Sequence, residues 1–185
     1  MKINSNITIK EVKNSDELKQ FVMFPHELYK DSKYWVAPII KEELEVLDKE
    51  INPVFKNALA HYFLAYIDGK IVGRIAALIN WVEVNDLKKK KVRFGWFDFI
   101  DNIEVSKALL EQVKEIGKKN NLEFIEGPVG FSNMDKAGML IKGFEKKNTM
   151  ITLYNHPYYK DHMVKLGYNK LAEWVEYELK IANYD

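Results

Sequence analysis

With 185 residues, 47% of them hydrophobic and 13% aromatic, the chain has material for one substantial core and too little for two. Lys plus Arg number 28 against 27 for Asp plus Glu, so a net charge of +1 provides no long-range field for nucleic acid or an acidic membrane and favours a small or neutral partner. The lack of cysteine excludes disulfides, thiol nucleophiles and thiolate metal sites, and neither a signal-peptide core in MKINSNITIK nor a membrane-spanning apolar run is present, so a single cytoplasmic domain over 1–185 is expected.

Along the chain, Ile7 and Ile9 alternate with polar residues as in a half-buried strand. Ser15 and Asp16 read as a helix cap, and Leu18, Phe21, Val22 and Phe24 follow at helical spacing until Pro25, which is expected to end or kink the helix. A short helix after Pro38 runs through KEELEVLDKE and closes at Asn52-Pro53. HYFLAYIDGKIVGRIAALINWV reads as a hairpin about Asp68-Gly69, a pair suited to the positive φ angles of a tight turn. Lys88 to Lys91 read as a solvated loop, since no aromatics interleave them.

VRFGWFDFI is then a strand that steps directly into a helix from Ile103 to about Lys119, with Val105, Leu109, Val113 and Ile116 as its apolar stripe. LEFIEGPVGF reads as a buried strand, FSNMDKAGMLIKGFEKKN as an ordered excursion, PYYKDHMVK as a short helix closed by Gly167, and LAEWVEYELKI as a last strand.

Among chemically capable residues, the histidines His26, His61 and His162 are scattered, with no pair at metal-ligand spacing backed by carboxylates, so no metal site is expected. Ser132, Asn133 and Asp135 lie between Gly130 and Gly138 among apolar residues; they suit the orienting contacts of a substrate pocket, or equally the satisfaction of loop amides. The segment YNHPYY adds Tyr154, Asn155, His156 and Tyr158 to the candidate substrate contacts, with His156 either a base of suitable pKa or a turn histidine. Tyr34, Trp35, Trp81, Trp96 and Trp174 either line an aromatic cavity or fill the core.

The order of elements, the YFLAYIDGKIVGRIAALI hairpin, the strand-to-helix step from Phe97 to Ile103 and the closing MVKLGYNKLAEWVEYEL resemble the GNAT superfamily of acyl-CoA-dependent N-acyltransferases. Within it, NPVFKNALAHYFLA, VGRIAALIN, GPVGFSNMDKAGMLIKGF and YNHPYY resemble a poorly characterised bacterial group. The resemblance implies an α+β (mixed α/β) fold with a central, mostly antiparallel twisted sheet, splayed middle strands and helices on both faces. It also implies acetyl-CoA or another acyl-CoA as donor, a small-molecule amine as acceptor, and a homodimer.

On that analogy the pantetheine arm lies along Phe97, Phe99 and Ile100, and the diphosphate meets the helix start at Asn102 and Ile103. The family pattern at that turn is Gln or Arg, two residues, Gly, one residue, then Gly or Ala, whereas this chain has FIDNIEVSKA. Asp98, Asp101 and Glu104 would each oppose a hydrated diphosphate by about 1 kcal/mol, and Asp101 or Asn102 can cap the helix instead. The family's acidic tyrosine falls at Met163, leaving Tyr159, or Tyr158, as the nearest proton donor and Asp98 or Asp135 as base or amine-binding carboxylate. A binding module that keeps the fold's cleft without catalysing transfer is the competing expectation.

Overall fold

The computed structural model describes residues 6–132, 134–149, 152–177, 179 and 181. Its sheet has five strands in sequential order: β1 (Thr8–Glu11), β2 (Ala58–Ile67), β3 (Lys70–Asn80), β4 (Lys91–Phe99) and β5 (Phe124–Glu126). The first three pairings are antiparallel and the β4–β5 pairing is parallel. Helices α1 (Ser15–Leu28) and α2 (Ile40–Leu47) cover one face. A short α3 (Trp81–Asn85) follows β3, and α4 (Ile103–Lys119) and α5 (Tyr158–Lys165) cover the other face.

The hairpin forms where expected, with Asp68 and Gly69 at φ 49 and 77. Alternation along its strands then builds two cores. Ala60, Tyr62, Leu64, Ala76 and Leu78 meet Phe21, Val22 and Leu47, while Phe63, Ala65, Ile75, Ala77 and Ile79 meet Val105, Leu109, Val113 and Ile116. Each large aliphatic side chain so buried contributes about 1.5–3 kcal/mol.

β4 changes parity midway. Val92, Phe94, Phe97 and Phe99 all join the α4-side core, although the step from 94 to 97 is odd. The pairing with β3 slips between Arg74 and Ala76, and Trp96 stands at φ 44, so an extra residue is accommodated as a bulge. Trp96 turns to the α1 side, where its indole N–H donates to Glu43 at 2.7 Å. The bulge leaves Asp98 paired in register with Arg74 and Phe99 in the opposite core.

Five expectations are corrected. The α1 cap is Asn14, whose side chain accepts from the Glu17 amide, not Ser15 or Asp16. Of the end or kink expected at Pro25, the end does not occur: the helix runs on to Leu28, and the carbonyl that proline leaves without a donor, that of Phe21, accepts from Arg74 Nη1 at 2.9 Å. Lys91 is not part of a solvated loop: it opens β4, lies 2.9 Å from Glu126 and 3.5 Å from Glu83, and leaves only Lys88 to Lys90 before the strand.

β5 is a three-residue edge strand with Phe124 largely exposed rather than a buried strand, and no strand forms in the described part of LAEWVEYELKI, where Leu171 and Tyr177 are 80% and 81% exposed. Just past β5, Val129 makes an isolated bridge to Ala137 of the excursion. Residues 178 and 180 of that segment lie outside the described residues.

Candidate functional site

The end of β4 carries a buried polar chain. Asp98, on the α1 side, accepts from Arg74 Nε at 2.7 Å and from the Tyr29 hydroxyl at 2.8 Å. Tyr29 spends its one proton on Asp98, so at its 2.8 Å contact with the Tyr159 hydroxyl it accepts and Tyr159 donates. Tyr159 in turn accepts from the Phe99 amide at 3.0 Å. The chain therefore runs in one direction, from a strand amide in one core through two phenols to a carboxylate in the other.

Burial, then the Asp98 charge, push the Tyr29 and Tyr159 hydroxyls well above the ordinary tyrosine range. Both phenols thus hold their protons at neutral pH. They serve as hydrogen-bond donors and not as bases.

The position at which the resemblance puts an acyl-CoA is engaged by the chain's own groups. Phe99 donates its amide to Tyr159 and accepts at its carbonyl from the Tyr158 hydroxyl at 2.5 Å. The Ile100 amide goes to Val72, and Asn102 caps α4, its side chain accepting from the Glu104 amide at 3.0 Å while its carbonyl accepts from Val105 and Ser106. Phe97 and Phe99 are buried among Phe94, Tyr159 and Met163, so Met163, where the resemblance locates the family tyrosine, is a core residue.

The exposed Asp101 carboxylate sits in the same turn, 2.9 Å from His162 Nε2, and His162 Nδ1 lies 2.9 Å from Ser106 Oγ. Ser106 is fully buried, so it has no access to a substrate. With no glycine from Ile100 to Ile103 to bring backbone close to a ligand, and with these amides spent, the residues of the turn do not fit a CoA diphosphate.

An open cleft of about 450 Å³ lies beyond Tyr29, lined by Tyr34, Asp31, Lys33, Tyr154 and His156. Its rings pack against one another: Tyr29 is 4.9 Å from His156 and 5.6 Å from Tyr154, and His156 stacks on Tyr158 at 5.3 Å. Thus Asp98, Tyr159, His156 and Tyr154 meet at Tyr29, and Phe99 and Tyr158 join them through Tyr159 and His156.

The other predicted residues lie elsewhere. Ser132 and Asp135 hold each other's loop, the Ser132 amide donating to Asp135 at 2.7 Å and the Met134 amide to Ser132 Oγ at 3.1 Å; Asn133 lies outside the described residues. Asn155 is buried, and its amide clasps both backbone groups of Leu140, at 2.6 and 3.2 Å. Sequence reasoning missed Arg74, Tyr29 and His162. Only the pairing of β3 with β4, and the packing of α1 and α5 at their ends, brings these residues in. Among the described residues no group of three or more His, Asp or Glu is placed to hold a metal ion.

A five-stranded mixed sheet in this order, with a bulged fourth strand leading directly into a helix and helices on both faces, is the GNAT fold, and the chain has it. It aligns with a predicted acetyltransferase from Clostridium acetobutylicum solved with acetyl-CoA (TM-score 0.57, 13% identity, 94% of this chain and 96% of that one). It also aligns with AAC(6')-Iy in complex with the bisubstrate analogue CoA-S-monomethyl-acetylneamine (TM-score 0.57, 14% identity, 96% of this chain and 100% of that one).

In sequence the chain is similar to Protein YghO of Escherichia coli (strain K12), 32% identical over 167 residues, and to the bacterial ceramide synthase of Caulobacter vibrioides (strain NA1000 / CB15N), 25% identical over 176 residues. These matches take in 88% and 95% of this chain but 43% and 46% of the relatives, so the chain spans under half their length. No family model matches the chain. Among the described residues no helix is long and apolar enough to cross a membrane.

Proposed function

We propose that the chain is the acceptor-binding unit of an acyl-CoA-dependent N-acyltransferase, acting in the transfer of an acetyl or longer acyl group to an amine, with the acyl-CoA held outside this unit. The GNAT fold and the similarity to a bacterial ceramide synthase, named for making an N-acylated amine, support the reaction class. The relatives are more than twice as long as the stretch they share with this chain, which leaves room in a protein of that length for a second unit.

One observation carries the division of labour: both backbone groups of Phe99 and the capped start of α4 are occupied by Tyr158, Tyr159 and Asn102, while the cleft beside Tyr29 is open. In this reading the Asp98–Tyr29–Tyr159 chain fixes the floor of the acceptor cleft, with Tyr159 a positioning residue.

Calorimetric titration of acetyl-CoA and of a long-chain acyl-CoA into the chain tests the reading. No heat of binding is expected up to millimolar donor. Saturable binding that perturbs the amide resonances of Phe99 and Glu104 would instead make this turn the donor site.

A further inference from the structure

At the end of the sheet where β4 begins, opposite the end that carries Asp98, three apolar side chains stand in solvent. Val82 on α3 is 43% exposed, Leu87 in the loop after it 57%, and Phe124 at the start of β5 65%. Backbone bonds hold them at one edge: the Leu87 amide donates to the Val82 carbonyl at 3.2 Å and the Lys89 amide to the Glu83 carbonyl at 2.8 Å, while the Glu123 and Phe124 amides both donate to the Lys90 carbonyl, at 2.7 and 3.1 Å. Phe124 is paired in parallel register with Lys91, so the two side chains share a sheet face, and on that face Lys91 reaches Glu83 of α3.

The same edge carries a local excess of positive charge. Lys88, Lys89 and Lys90 follow Leu87, and Lys119 ends α4 at the same end of the sheet, where the helix comes against Val92 at Gly117. Asp86 and Glu123 oppose them, Glu123 as the exposed partner of Lys90 at 3.1 Å, a pair of small energetic weight. Among the described residues Lys88 and Lys89 make no salt bridge. A net charge of +1 gives the chain no long-range field, but neighbouring lysines act together over a Debye length, about 10 Å at 0.1 M salt.

The residue types select the partner. Lysine is a hydrated point charge on a flexible stem, without the planar fork that arginine offers a single phosphate, and the chain's two arginines, Arg74 and Arg93, are buried elsewhere. Mobile lysines suit a diffuse array of anionic headgroups, and Leu87 and Phe124 beside them suit the boundary between headgroups and acyl chains. Val82 and Leu87 offer no ring on which a nucleic-acid base would stack.

We propose that this edge is a docking surface for the anionic face of a lipid bilayer, with Leu87 and Phe124 entering the headgroup region and Lys88, Lys89, Lys90 and Lys119 lying over it. Seven strand residues at about 3.3 Å each separate Lys91 from Asp98, so the surface is roughly 20 Å from the cleft beside Tyr29 and does not rest on the acceptor reading.

Co-sedimentation with vesicles of phosphatidylcholine alone, and of phosphatidylcholine with about one third phosphatidylglycerol, tests the inference at about 0.1 M salt. Partition into the anionic vesicles is expected to be at least about tenfold stronger. Lys88→Gln with Lys89→Gln should weaken it at least about fivefold, and Leu87→Ser with Phe124→Ser, at exposed positions, should do the same. Lys146→Gln with Lys147→Gln, exposed lysines of the excursion, should leave it unchanged.

A fall in both test pairs and none in the control pair upholds the inference. Equal partition into the two kinds of vesicle, an equal fall in the control pair, or unchanged partition in either test pair overturns it. A fall in the lysine pair with none in the apolar pair makes this edge a general polyanion surface, nucleic acid included.

Discussion

Arg74 donates from Nη1 to the carbonyl of Phe21 at 2.9 Å, the carbonyl that Pro25 leaves without a helical partner, while its Nε holds Asp98 at 2.7 Å. A proline that locally should break α1 therefore creates the acceptor that orients the guanidinium under the site. Both ends of the ion pair are nearly buried, with side-chain exposures of 7% and 13%, and removing one partner of such a pair costs about 3–5 kcal/mol because the other is stranded. Arg74→Met is expected to destabilise the chain by that amount in urea denaturation. In the Arg74→Met background, Pro25→Ala should recover about 0.5–1.5 kcal/mol, the net worth of the hydrogen bond its new amide makes to Phe21. Strict additivity of the two substitutions would contradict the link.

Tyr29→Phe leaves Asp98 Oδ1 without its donor and Tyr159 without its acceptor, and Tyr159→Phe leaves the Phe99 amide unpaired. Each should cost about 1–3 kcal/mol, the penalty for stranding a buried polar group. The double variant should cost less than the sum, since one bond is shared. Thermal melts of the three variants at one pH measure the coupling.

Alkaline pH provides a check on the same network. The folded-state hydroxyls of Tyr29 and Tyr159 are raised well above the usual tyrosine value, by burial first and then by Asp98, and that of Tyr158 is raised by burial and then by Asp101. An acid group whose pKa is higher folded than unfolded contributes stability that is complete below the unfolded pKa, near 10, and is lost as pH rises beyond it. Stability should be insensitive to these groups between pH 7 and about 9.5. Above about pH 10 it should fall by about 1.4 kcal/mol per pH unit for each such tyrosine. Unfolding curves at pH 9, 10 and 11 should show a shallower fall in Tyr29→Phe than in the parent chain.

Gly95 lies where β4 leaves β5, and a Cβ there would stand 2.6 Å from the Val129 carbonyl oxygen, a backbone atom that cannot step aside. Gly95→Ala should cost about 1–3 kcal/mol or more and loosen the Val129 amide's 2.8 Å bond to Phe94. Hydrogen exchange at Val129 reports the loosening, and unchanged protection there would contradict it.

The turn before α4 offers a gain-of-binding experiment. Asn102→Gly frees the Glu104 amide and Asp101→Gly removes the nearby charge. Losing the cap should cost only a few tenths of a kcal/mol with glycine in its place. If the chain's own side chains are what exclude a diphosphate, the double variant should acquire measurable acetyl-CoA affinity in calorimetry. Continued silence would point to Tyr158 and Tyr159 at Phe99 as the barrier.

Local chemistry carried much of the architecture. The Asp68-Gly69 turn, the stripe of Val105, Leu109, Val113 and Ile116 on α4, and Gly167 at φ 81 after α5 are decided by φ preference and periodicity over a few residues, and each is found where those rules put it. The departure FIDNIEVSKA likewise announced a turn unlike the family's, because Asn102 is the kind of residue that caps its own helix.

The site itself was decided by contacts distant in the chain. Tyr29 and Asp98 are 69 residues apart and Tyr29 and Tyr159 130 apart, and no local pattern marks them as neighbours. The bulge at Trp96 shifts the parity of β4, so that Asp98 and Phe99 face opposite cores, and the ends of α1 and α5 then meet over it. The failures have the same origin. LAEWVEYELKI has a strand's alternation, but alternation states only which side chains would share a face. Whether its backbone pairs with a sheet edge is settled by the rest of the chain, and its described residues do not pair.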